Sequence, residues 1–142
     1  MCSSDLVPGI PGSSTSAGHV GWIDVVSFTG NAVAPASGTT GPPCQLTVQK
    51  QLDKAGPELW LATVTAKVFT TIDIQVEAPG PTPFVLYDIL LANAEITSIA
   101  DSSTNALPME TLTLKATRVT LTFYAQSATG AVTAVTKTSF TC

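Results

Sequence analysis

Any chemistry in this chain has to come from three cysteines, one histidine and ten carboxylates. Cys44 follows a Pro-Pro turn and opens an alternating apolar stretch, and Cys142 closes another. The two either join as a disulfide between neighbouring strands or lie as two buried thiols; a bridged pair in a Thr/Ser-rich, charge-poor chain suits an oxidising compartment. His19 stands in a Gly-rich turn, and no Ser or Asp spacing selects it for a triad, so it is expected to be a loop imidazole bonded to backbone or solvent. Asp73 and Glu77, four residues apart on one strand face, are too distant to pair and belong to a solvated face. Asp24 and Asp88 each interrupt an apolar strand, where a carboxylate is costly unless paired or exposed. Lys50, Lys54, Lys67, Lys115, Arg118 and Lys137 are the available partners, and structural or subunit-interface pairing is the expected role. Trp22, Trp60, Tyr87 and Tyr124 are spread one to an element, which favours core packing over a sugar-binding platform. No nucleophile elbow, phosphate loop or HExxH motif occurs, and one His with three Cys does not furnish a four-ligand zinc site. The chain is therefore expected to have no catalytic, cofactor or metal site and not to be an enzyme.

The elements that would carry these residues are strands. Of 142 residues only 11% are charged, against about one-quarter in an ordinary soluble domain. Thr and Ser, 34 residues together, supply the polar surface, and Thr favours strands while Ser serves turns. Alternation marks strands over Val20–Phe28, Cys44–Leu52, Phe69–Ala78, Phe84–Ala100 with a bend near Asn93, Met109–Tyr124, and Ala131–Cys142 after a hairpin turn at Ala128–Gly130. In the first of these, Trp22, Asp24, Val26 and Phe28 share one face and Ile23, Val25 and Ser27 the other. One short helix is expected within Asp53–Ala66, with Pro57 at its first position and Gly56 as a weak cap. Thr29–Pro43 is a long loop without apolar periodicity. Met1–Leu6 looks like a non-native leader, similar to a translated sequencing-adapter end, ahead of a single domain over Val7–Cys142. A net charge of −4 argues against nucleic-acid or anionic-membrane binding, and no apolar run approaches the roughly 18 residues of a spanning helix.

Two stretches resemble a known family. Ile10-Pro-Gly-Ser-Ser-Thr-Ser-Ala-Gly-His-Val-Gly-Trp-Ile-Asp-Val-Val-Ser-Phe28 is similar to the opening of the haemolysin-coregulated (Hcp) proteins, the tube proteins of bacterial type VI secretion, with their G-I-x-G-E-S loop, G-H turn and aliphatic strand. Val48-Gln-Lys-Gln-Leu-Asp-Lys-Ala-Gly-Pro-Glu-Leu59 resembles the family's K-x-x-D-K-x-S-P-x-L run into its single helix, and Pro108-Met-Glu-Thr-Leu-Thr-Leu114 its E-x-V-x-L-x-F strand. Ser13 stands where the family has Glu, and Gly56 where it has Ser; Cys44 and Cys142 are not general family features.

The resemblance implies a mainly β fold, a compact β-barrel or two-sheet sandwich with one short flanking helix. It implies six copies in a ring, rings stacked into a tube, sheath and spike components and small secreted effectors as partners, and secretion through the type VI apparatus after synthesis in the cytoplasm. The loop containing Thr29, Gly30, Asn31, Gly38, Gly41 and Pro43 would make the ring-stacking contact. The alternative is an extracellular, disulfide-containing β-sandwich binding or adhesion module, periplasmic or extracellular if a lost N-terminus carried a signal peptide.

Overall fold

The computed structural model describes residues 2–30, 32, 34, 44–104 and 107–142. In chain order its elements are β1 (Cys2–Leu6), β2 (Ile23–Val25), β3 (Ser27–Gly30), β4 (Cys44–Gln51), α1 (Gly56–Val64), β5 (Val68–Glu77), β6 (Val85–Ser102), β7 (Met109–Ala116), β8 (Arg118–Gln126) and β9 (Val132–Thr141). The strands hydrogen-bond in the order β2-β1-β5-β6-β7-β4-β3, with β8 branching from β6 and β9 from β8. The two ends of that path are consecutive in sequence. β2 runs into β3 through Val26, whose N–H donates to the Gln49 carbonyl of β4 (2.8 Å). The sheet therefore curls shut along that path into a barrel, with β8 and β9 lying off it. Ile23, Val48, Ile72, Ile74, Leu91, Leu112 and Leu114 fill it, and Leu59 of α1 plugs it from one side.

Two expected strands divide. The stretch from Met109 to Tyr124 breaks at Thr117, because β7 and β8 pair with different halves of β6. Glu95–Ser102 lies against β7 and Tyr87–Ala92 against β8. Between those halves Asn93 adopts a left-handed φ of 47°, a conformation Asn tolerates better than most side chains. Thr117 closes the corner: its N–H and Oγ1 both donate to the Ala92 carbonyl (3.1 and 3.2 Å), and its own carbonyl accepts the Cys142 N–H (2.9 Å). The bend expected near Asn93 is thus where the sheet forks.

The stretch from Val20 to Phe28 likewise breaks at Val26, where the chain leaves β1 as partner and joins β4. Ile23 and Val25 face the core and Asp24 and Val26 face out. The side-chain phase then slips by one residue, so that Phe28 turns inward instead of sharing a face with Trp22, Asp24 and Val26. This is the effect of an extra residue inserted into a ladder. The helix is shorter than its candidate window. Ala55 takes the N-cap position, Gly56 is already helical, and Asp53 Oδ1 accepts the Ala55 N–H (3.0 Å).

Candidate assembly surface

No cluster of three His, Cys, Asp or Glu able to hold a metal occurs among the described residues. The polar side chains instead form two buried networks and one open surface. The first network centres on His19. Its ring is buried, with Nδ1 2.8 Å from Glu77 Oε1 and Nε2 2.8 Å from Gln75 Oε1, and it packs edge-on against Trp22. The Gln75 amide nitrogen in turn donates to Asp88 Oδ1 (3.0 Å) and Asp73 Oδ2 (3.2 Å). His19 thus binds side chains of β5, not backbone or solvent as expected. Glu77 is buried rather than part of a solvated face, because the turn at 14–21 folds over that end of β5. Asp88 finds an amide in place of a cation, while Asp24 is exposed. Gly12 is required by that turn: a Cβ there would collide with the Trp22 carbonyl.

The second network is built around Lys50, on the inward phase of β4 and completely buried. Its ammonium spends its three donors on Glu110 Oε1 (2.9 Å), Asp53 Oδ1 (2.8 Å) and the Gln51 carbonyl (2.9 Å). Glu110 is also fully buried, and its Oε2 accepts no hydrogen bond. Burial pushes the Glu110 carboxyl above its ordinary range. Asp101, opposite it on β6, adds to the rise, since a proton on Glu110 bridges the two carboxyls; Lys50 pulls the other way. Trp60, expected in the core, is largely exposed and donates from Nε1 to Asp101 Oδ2 (3.1 Å).

The open surface is β9. All ten of its residues are exposed, on both faces. Among the described residues its only ladder partner is β8, which leaves its outer backbone edge without a strand partner among them. The β8–β9 hairpin shows Phe123, Val132, Val135 and Phe140 to solvent. The face opposite Phe123 and Phe140 carries Arg118, Thr120 and Ser139, linked by hydrogen bonds of 2.9 Å from Arg118 Nε to Ser139 Oγ and between the two hydroxyls. Residues 118–142 hold two of the chain's six cations and none of its ten acids. The hairpin is basic and the body of the barrel acidic.

At the base of this hairpin Cys142 is bonded to Cys44, with Cα atoms 5.5 Å apart and 98 residues between them in sequence. The strand β4 that begins at Cys44 and the end of β9 are not ladder neighbours. Thr29 and Gly30, the first of the stacking-loop residues, end β3 and are exposed. Asn31, Gly38, Gly41 and Pro43 lie outside the described residues.

Residues 6–123 match the family model described as "Type VI secretion system effector, Hcp". Among solved structures, a type six secretion system protein superimposes with a TM-score of 0.84 at 22% identity, covering 99% of this chain and 94% of that one. A type VI secretion system effector from Yersinia pestis gives 0.82 at 18% identity, covering 99% of both chains. Hcp1 from Salmonella typhimurium gives 0.80 at 16% identity, covering 99% and 93%. Comparison with curated protein sequences returns no match. Hcp proteins are structural tube proteins, not enzymes; they assemble into oligomeric rings and are secreted by type VI secretion. These findings do not favour the adhesion module. Matched by the family model over most of its length and folded into the same β-barrel, the chain belongs to the Hcp family.

Proposed function

We propose that this chain closes into a six-membered ring through the β8–β9 hairpin, and that stacked rings form a conduit for small secreted effectors, driven by sheath and spike components of the apparatus. The observation that carries the reading is β9, exposed along its whole length on both faces. A ten-residue strand with an unpaired edge and apolar side chains on its hairpin invites a partner. A ring requires a heterologous contact, in which one surface meets a different one on the next copy. The charge division supplies that asymmetry, a basic hairpin against an acidic body.

Stacking of one ring on the next is assigned to the loop from Thr29 to Pro43. Bulky charge inserted there is expected to shorten stacks while leaving rings intact. The functional domain is Val7–Cys142, and Met1–Leu6 is a non-native leader, of which the backbone of Cys2–Leu6 serves as the first strand, paired with β2 and β5. Exchanging Cys2–Leu6 for another strand-forming pentapeptide is then expected to preserve assembly, and its loss would count against the leader reading.

Negative-stain electron microscopy of the purified chain tests the central claim. Sixfold rings are the expected result. A population of monomers at concentrations and salt where Hcp proteins form rings would overturn it.

A further inference from the structure

The bond between Cys44 and Cys142 joins two strands that the ladder does not. Among the described residues, β9 otherwise hydrogen-bonds through its backbone only to β8, apart from the Cys142 N–H donated to Thr117. Cys44 pairs with Ala116 of β7 and borders the core, as does Cys142. The covalent link therefore crosses the Thr117 corner and fixes the end of the hairpin to the barrel wall. Both cysteines are only partly buried, within reach of small thiols and disulfides.

We propose that this pair is a compartment-gated staple: a dithiol that leaves the end of β9 free to fray before export, and a disulfide that pins it to β4 afterwards. The inference rests on the secretion of the family, which takes the chain from a reducing to an oxidising environment. Closure runs by thiol–disulfide exchange with a disulfide oxidant R–S–S–R. One cysteine thiolate attacks an oxidant sulfur, forming a mixed disulfide and releasing RS⁻. The second thiolate then attacks the protein-side sulfur and expels the other RS⁻. The protein gives up two electrons and two protons, and the oxidant leaves as two thiols. Reduction by excess small thiol reverses both steps.

Hydrogen exchange read by mass spectrometry on the intact chain tests this without reference to ring formation, so it can fail while the ring reading stands. Three preparations are compared: chain oxidised with oxidised glutathione, chain equilibrated at a cytosol-like glutathione ratio, and a Cys44→Ser/Cys142→Ser variant kept as a dithiol-free control. The expected result is a linked pair of Cys44 and Cys142 peptides, two hydrogens lighter than the two free peptides, in the first preparation and an open pair in the second, whatever glutathione Cys2 carries. Amides of residues 136–142 should exchange about tenfold faster in the second and third, with residues 72–76 and 87–91 unchanged, as for a local opening. A pair that stays closed at the cytosol-like ratio overturns the proposal. So does a pair that stays open in oxidised glutathione, or exchange at 136–142 that agrees within about twofold across all three.

Discussion

Lys50 shows how much a single side chain can depend on its partners. The ammonium lies at zero exposure, and three oxygen acceptors hold it there. Removing one member of such a buried pair leaves the other uncompensated, at about 3–5 kcal/mol, whereas replacing both by apolar side chains is often neutral or better. Lys50→Met is therefore expected to cost about 3 kcal/mol in urea unfolding, and Lys50→Met/Glu110→Leu to recover most of it. A double variant as unstable as the single one would refute this. The same site predicts a pH dependence. The Glu110 carboxyl titrates higher in the folded chain than in the unfolded one, because of burial and then Asp101. Between those two values the folded state binds more protons, so the contribution of Glu110 to stability is complete below the unfolded value and is lost as pH rises through the folded one. The stability of wild type minus that of Glu110→Gln should fall with rising pH across this window; a flat or rising difference would contradict the assignment. Both networks join distant positions, His19 to Glu77 and Lys50 to Glu110, so no local motif announces them. Lys50 alone left a trace, as the one charge on the apolar phase of Cys44–Leu52.

At the scale of elements, β4, β5, β6 and the helix window were legible because period and burial agree along each of them. The division at Thr117 was not expected, although the sequence holds a trace of it. Leu112, Leu114 and Ala116 occupy even positions, and Val119, Leu121 and Phe123 odd ones, so the apolar phase slips there although the strand character continues. The division at Val26 is harder to read, because Val25 and Val26 are both apolar and only the change of partner tells them apart. Asn93 is the hinge of the fork. Its left-handed backbone suits Gly or Asn, and a β-branched side chain would be strained by about 1–3 kcal/mol. Asn93→Val should lower the midpoint of thermal unfolding, while Asn93→Gly should stay near wild type; equal losses in the two variants would place the role in the side-chain bond to Thr117 instead.

For the whole molecule the decisive property is charge placement rather than net charge. All ten carboxylates precede residue 118, while Arg118 and Lys137 stand alone on the hairpin beyond it. Attraction between the hairpin of one copy and the body of the next makes ring formation sensitive to salt, since exposed charges are screened beyond about 8–10 Å at physiological ionic strength. Arg118→Glu/Lys137→Glu is expected to shift the concentration for half-assembly upward by about tenfold or more, measured by analytical ultracentrifugation, with the barrel's unfolding midpoint nearly unchanged. Assembly as strong as wild type would show that the hairpin's charge has no part in the contact.

Lys137 carries a second consequence. It lies at the middle of β9, between Thr136 and Thr138 of a strand that runs from Val132 to Thr141. If two free subunits zip their open edges together antiparallel about Lys137, two ammonium groups come side by side on one face at the centre of the new ladder. Like charges so placed oppose pairing. A twofold dimer of that kind would use up the edge and leave no surface for a third copy. The lysine thus discourages the subunit from recognising its own edge, and so keeps the growing ring open to a different face of the next molecule.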